Sequence, residues 1–288
     1  MAERRIGIIG GSGLYEIDEL ENVQPVSIET PFGKPSDDFI IGNLGGEELV
    51  FLPRHGVGHR LIPTEINYRA NIYGMKKLGV EWIISATAVG SFKEELKPRD
   101  IVVVDQFFDR TNSGRKTTFF GEGLAAHISF AHPVCPRLTQ ALYEAAKACG
   151  VNVHMGGPYV NMEGPAFSTK AESFLFKSWG MDVIGMTNLA EARLAREAEI
   201  CYATMALVTD YDCWREQYEE VSVEILIDNL MANAVNAKSI IREMVPRIPK
   251  KRDCKCASAL KNAFITERDM IPDTVKDKLS LIIGKYIR

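Results

Sequence analysis

The chain has 288 residues, 46% of them hydrophobic and 25% charged, with a formal net charge of −4. That length suits one large domain or two small ones, and the balance of charge argues against a general nucleic-acid or anionic-membrane binder while leaving room for a local anion site. No run of 18 apolar residues occurs, so no membrane span is expected.

Met-Ala-Glu-Arg-Arg leads straight into the apolar run 5–9, which is too short for a signal peptide and reads as a strand. Gly10-Gly11-Ser12-Gly13 follows it. Such a turn lets backbone N–H groups approach an anion, and Ser12 adds a hydroxyl; a tight structural turn explains it equally well. The spacing is neither the dinucleotide fingerprint nor a Walker loop. After strands at 39–41 and 49–52 comes Arg54-His55-Gly56-Val57-Gly58-His59. Arg54 offers a fork of donors suited to phosphate, and His55 can donate to the same anion. The two glycines in the spacer disfavour a metal pair of His55 and His59.

A helix is expected over 65–78 and a strand over 81–85. Ser85-Ala86-Thr87-Ala88-Val89-Gly90-Ser91 then reads either as a small-residue turn or as a phosphate cradle using the Thr87 hydroxyl and the Ala88 N–H. A strand at 101–104 and a helix at 138–148, ended by Cys149-Gly150, come next. The strand 159–162 feeds Asn161-Met162-Glu163-Gly164-Pro165-Ala166-Phe167-Ser168, where Phe167 could stack on a flat heterocycle or serve as plain core, and Glu163 could accept from sugar hydroxyls. Thr169 to Glu172 has capping-box spacing. The strand 182–186 ends in Met186, suited to the apolar face of a sugar, and Thr187, another phosphate donor.

A helix at 190–198 precedes the buried strand 201–208. Asp210 and Asp212 leave its C-terminal end together in Thr209-Asp210-Tyr211-Asp212-Cys213-Trp214. An enclosed carboxylate pair can protonate a ring nitrogen and accept from an exocyclic amine; two solvated acids on a turn are the plainer alternative. The long helix 222–245 carries an apolar stripe that core packing explains. Pro246, Pro249 and the basic residues of 247–255 look like a linker, and 257–288 an appendage packing on its own or on a neighbouring subunit. Cys254-Lys255-Cys256 reads as exposed tail thiols with a redox role open; with no second pair at ligand spacing, metal binding is disfavoured.

Strands alternating with helices predict an α/β fold, a single domain with a mixed, largely parallel twisted sheet surrounded by helices. Residues 1–246 are expected to form the domain that carries these candidate residues, and 247–288 the basic linker and helical appendage. Five candidate segments all follow strands and could face one carboxyl edge of one sheet, where open α/β sheets bind ligands. Anion donors, an aromatic ring, an apolar surface and carboxylates together fit phosphate plus a flat nitrogenous ring.

With Thr30-Pro-Phe-Gly-Lys-Pro-Ser36, Arg54-His55-Gly56, Asn67-Tyr-Arg-Ala-Asn71, Asp105-Gln-Phe, Glu163-Gly-Pro, Ala171-Glu-Ser and Thr209-Asp-Tyr-Asp-Cys-Trp214 in this order, the chain resembles the 5′-methylthioadenosine phosphorylases of the trimeric purine nucleoside phosphorylase family over about residues 5–245. The resemblance implies phosphate held by Ser12, Arg54, His55, Thr87, Ala88 and Thr187; Met186 under the ribose; Phe167 near the base; and Asp210 and Asp212, flanking Tyr211, at N7 and the 6-amino group of adenine. His59, His127 and Val223 would line the 5′ pocket, and Ser168 and Val223 would set substrate preference.

It further implies a nucleoside and inorganic phosphate as substrates and no metal or organic cofactor. The expected assembly is a trimer or a dimer of trimers, in the cytoplasm, with no nucleic-acid or membrane partner. The rival substrates are 6-oxopurine nucleosides, and the rival class is a nucleoside-binding module without chemistry. Ala166 and Gly185 depart from the family pattern, which has Arg and often Asn there.

Overall fold

A computed structural model describes residues 5–11, 14, 16–112, 114–215 and 223–287, with 223–226 described as backbone only. Ser12 therefore lies outside the described residues, as does the side chain of Val223. The elements run β1 (Arg5–Gly10), β2 (Glu21–Val26), β3 (Phe39–Leu44), β4 (Glu47–Pro53), α1 (Tyr68–Lys77), β5 (Val80–Ser91), β6 (Ile101–Val104) and β7 (Gln106–Arg110). They continue α2 (Pro136–Ala148), β8 (Val153–Met155), β9 (Pro158–Met162), α3 (Lys170–Ser178), β10 (Val183–Gly185), α4 (Asn188–Glu197), β11 (Cys201–Tyr211) and α5 (Val223–Met244), and end in α6 (Asp273–Lys278) and α7 (Ser280–Ile283).

The eleven strands form one sheet in the order β2-β3-β4-β1-β5-β10-β9-β7, with β11, β6 and β8 joined to it through the other edge of β5. Twelve-residue β5 is the hub: its first half pairs with β1, Gly90 and Ser91 pair with β10, and β11 runs parallel along its length. Successive residues of the inner strands go to opposite faces, the period of an extended chain. On β4, Leu49 and Phe51 join an apolar layer with α2 and α5, while Val50 and Leu52 join one with α1 and α4. The sheet is thus buried on both sides, as a mostly parallel sheet requires.

The expected fold class is the one formed, and the expected strands and helices are all present. Three elements lacked a signal: β2 is polar and exposed and contains Pro25, β7 is also largely exposed, and β8 has three residues. The turn alternative for 85–91 does not hold: these residues are the second half of β5, so Thr87 and Ala88 sit in a strand held by β11. The tail differs too. Leu260, Ala263, Ile271, Val275 and Leu279 pack into the α1–α4 layer of the same chain, and Ile248 and Cys256 into the other. Its apolar residues were too sparse to show a period, yet most of them pack on the body, with Ile265 and Met270 left exposed.

Candidate active site

The carboxyl ends of β1, β4, β5, β10 and β11 open into a cavity of about 1260 Å³. Arg54, His55, His59, Thr87, Ala88, Phe167, Ser168, Met186, Thr187, Asp210, Tyr211 and Asp212 all line it, and so does Gly11, next in the chain to Ser12. Strand geometry explains the convergence. The β4 end places Arg54 beside the β1 turn, where its N–H donates to the Gly10 carbonyl at 2.8 Å.

Arg54 is almost fully buried. Its Nε donates to Glu191 Oε1 at 2.5 Å, Nη2 to Ser85 Oγ at 2.6 Å and Glu191 Oε2 at 3.3 Å, and Nη1 to the Ala86 carbonyl at 3.0 Å. A guanidinium has five N–H groups, so one Nη1–H remains for an anion. Burial opposes the Arg54 charge, but Glu191 more than offsets it and the pKa is raised. Tyr202 Oη donates to Glu191 Oε2 at 3.0 Å, and Asn188 Nδ2 to Ser85 Oγ at 3.1 Å. Sequence reasoning missed Glu191, whose only signal was an acid on a helix face otherwise made of Leu and Ala.

His55 differs from its expected donor role. Its Nδ1 lies 2.8 Å from the Leu61 carbonyl. A carbonyl can only accept, so Nδ1 carries the hydrogen and Nε2 of the neutral ring is an acceptor. Burial, then the Arg54 charge, push its pKa down to about 4. The ring stacks on His59 with centroids 4.2 Å apart. His55 therefore suits a phosphate that still carries a proton. Thr187 stands at the N-cap of α4; its hydroxyl accepts from Asn188 Nδ2 at 3.4 Å and keeps its own hydrogen to donate.

At the other end, β11 carries a bulge between Val208 and Asp210. Bulges re-aim side chains and leave backbone groups unpaired. Here Asn229 Nδ2 donates to the Thr209 carbonyl at 2.7 Å and Asn233 Nδ2 to the Val208 carbonyl at 2.9 Å. These two asparagines, one turn apart on α5, hold the bulge and were not foreseen. They also set the rotation of the helix. The apolar stripe expected to be core instead turns Leu230, Met231 and Ala234 onto the cavity, with Met231 58% exposed.

Burial, chiefly, raises the Asp210 pKa to about 6; the Thr209 hydroxyl, 2.6 Å from Oδ1, opposes this and the nearby Asp212 charge adds to it. Asp210 lies against Gly90, where a Cβ would meet its Oδ2 at 3.6 Å. Asp212 is also raised by burial, and its Oδ2 is buried with no bonding partner among the described residues. The Ser173 hydroxyl is near enough to ease that charge yet lies outside bonding geometry, and is itself without a partner among the described residues. Thr87 and Gly90 are three residues apart on β5, about 10 Å along an extended strand. That span separates the anion donors from the acids by roughly the length of a ribose with its substituents.

Several assignments change. His127 does not line the cavity of its own chain: it is exposed, and its N–H donates to the Ala263 carbonyl at 2.8 Å, tying its segment to the tail. Glu163 is engaged by Arg115 Nε at 2.9 Å and by the Asn112 N–H at 2.9 Å, away from the cavity lining. Phe167 is 76% exposed, a rim residue and not a core one. The Tyr211 hydroxyl donates to the Glu94 carbonyl at 3.0 Å, so only its flank is offered to a ligand. Gly185 has a structural reason: a Cβ there would lie 2.0 Å from Tyr159 Oη, which fills that slot. Ala166 is exposed and off the lining.

Residues 5–246 match the model of the Phosphorylase superfamily, and the chain belongs to that family. It is 60% identical to the S-methyl-5′-thioadenosine phosphorylase of Geobacter sulfurreducens over 285 residues, covering 99% of this chain and 100% of that protein. Among solved structures it is similar to a methylthioadenosine phosphorylase from an antarctic soil metagenomic library, with TM-score 0.93, 46% identity, and 98% and 99% of the two chains covered. It is also similar to the methylthioadenosine phosphorylase of Schistosoma mansoni in complex with adenine, with TM-score 0.82, 35% identity and 98% of each chain covered.

Proposed function

We propose that the protein catalyses phosphorolysis of S-methyl-5′-thioadenosine to adenine and 5-methylthioribose 1-phosphate, a transfer of the pentosyl group that serves purine and methionine salvage. The observation that carries this reading is the pairing, in one cavity, of an aspartic acid raised to about pH 6 with a set of anion donors at the opposite end. Adenine is a poor leaving group as an anion, so N7 must be protonated as the bond to C1′ breaks. Asp210 in its acid form donates that hydrogen. Asp212, a carboxylate with one oxygen unpartnered among the described residues, accepts from the 6-amino group.

Arg54, Thr87, Ala88, Thr187 and Ser12 hold phosphate, whose negative charge stabilises the cation-like sugar and whose oxygen attacks C1′. His55 accepts the phosphate hydrogen through Nε2. Met186 lies under the ribose, and Phe167 at the rim closes over the base. Leu230 and Met231 give the 5′ end an apolar wall suited to a methylthio group better than to a hydroxyl, His59 adds to it, and Ser168 and Val223 set substrate preference. The chemistry needs no metal or organic cofactor. The protein works in the cytoplasm as a trimer or a dimer of trimers. Such an assembly is how the exposed His127 could reach a cavity, that of a neighbouring copy.

Incubation with S-methyl-5′-thioadenosine and with inosine, each with and without phosphate, tests the proposal. Cleavage of the thionucleoside alone, and only with phosphate, is expected. Cleavage that persists unchanged without phosphate removes the phosphorylase reading, and preference for inosine removes the base assignment. A light-scattering mass of one chain removes the assembly.

A further inference from the structure

The four cysteines Cys135, Cys201, Cys254 and Cys256 are far apart in sequence and together in space. All four are free thiols, and all four Sγ atoms lie within 4.8 Å of one another. Cys254 Sγ is 3.3 Å from Cys201 Sγ and 3.7 Å from Cys135 Sγ. A zinc ion bound at about 2.3 Å by four thiolates sets its sulfurs about 3.8 Å apart, the edge of the tetrahedron. The two short spacings fall within about 0.5 Å of that edge and no pair exceeds it by more than about 1 Å, so closing on an ion needs sulfur movements of no more than about 1 Å. Three of the four residues are buried and Cys254 is partly so, which shields a metal as a closed structural site requires.

The surroundings suit thiolate. Cys135 is the N-cap of the thirteen-residue α2, so its sulfur faces the positive end of a helix dipole. Lys250, Lys251, Arg252 and Lys255 flank the tail pair and offset the net negative charge of a tetrathiolate site. The elements also fit the role. Cys201 is the first residue of β11, whose other end bears Asp210. Cys254 and Cys256 belong to the tail, and Cys256 packs in the core layer.

We propose that Cys135, Cys201, Cys254 and Cys256 form a structural zinc site that fastens the C-terminal tail to the body of the chain. The sequence hid it because two ligands are single cysteines donated by the body and only the other two form a local pair. The site lies at the opposite end of β11 from the acids and takes no part in the reaction.

The test is metal analysis of the protein purified with reductant and without chelator, together with thiol titration and intact mass. About one zinc ion per chain is expected. The four thiols should resist reagent until a chelator or denaturant is added, and the intact mass should show no loss of hydrogen. Stripping the metal should lower Tm by several degrees, with recovery on adding zinc. The Cys254→Ser/Cys256→Ser variant should lose the zinc and the same increment of Tm while keeping its turnover. A metal-free protein with reactive thiols, or a mass deficit that marks a disulfide among these four, overturns the proposal, and both are read on the unmutated protein.

Discussion

Asp210→Asn separates the cost of the acid from its use. An aspartate whose pKa rises from 3.8 to about 6 on folding binds more protons in the folded chain than in the unfolded one between those values. Stability from this group is therefore full below pH 3.8 and is lost as pH rises through 6. The loss is about 1.6 kcal/mol at pH 5 and about 3 kcal/mol at pH 8. Asparagine keeps the shape and carries no charge, so the variant should be more stable than the parent at pH 8, by about 5 °C in Tm. That advantage should shrink to roughly half at pH 5. Turnover should fall about 10² to 10⁴-fold, since an amide has no acidic hydrogen to give. Urea midpoints at fixed protein concentration, with and without phosphate, and a rate assay on the same preparations check both halves. A variant no more stable than the parent at pH 8, or an advantage that does not change with pH, refutes the claim that the folded protein holds this acid against its ordinary ionisation.

Glu191→Gln leaves Arg54 buried without its counter-charge, which should cost about 3 kcal/mol; phosphate should then raise the variant's Tm more than the parent's, and equal protection would sever Arg54 from the anion. Asn229→Ala frees the Thr209 carbonyl beside the catalytic bulge; a loss of about 1–3 kcal/mol with a fall in kcat is expected, and an unchanged kcat would show the bulge holds itself. His55, depressed to about 4, contributes stability present above pH 6.5 that is lost as pH falls toward 4; His55→Gln should flatten that acid limb, and an unaltered limb assigns it to other groups.

The parts of the site written in short apolar runs were legible. β4 and β10 end within a residue of their hydrophobic runs and β11 continues three residues past its own, so Arg54, Thr187 and Asp210 could be set at one sheet edge from the sequence. Side chains whose meaning depends on distant partners were not. Glu191 is a helix acid until Arg54 is beside it, and Asn229 and Asn233 are ordinary helix polars until a bulge 20 or more residues away needs donors. The rotation of α5 follows from those bonds, so its apolar stripe alone does not show which part of it faces the cavity. The extended course of the Thr87 segment was illegible for another reason: small residues that would make a turn alone are kept extended because β11 pairs with every one of them. The tail and the cysteine cluster were illegible because their contacts cross the whole chain.

Proton donation by Asp210 is tested most directly by changing the leaving group. p-Nitrophenyl 5-methylthioriboside releases p-nitrophenolate, which departs from C1′ without a proton, whereas adenine needs one. With phosphate present, Asp210→Asn should lose most of its kcat/KM on S-methyl-5′-thioadenosine and keep it, within about tenfold, on the nitrophenyl compound. Equal losses on both would contradict the assignment of Asp210 as the acid.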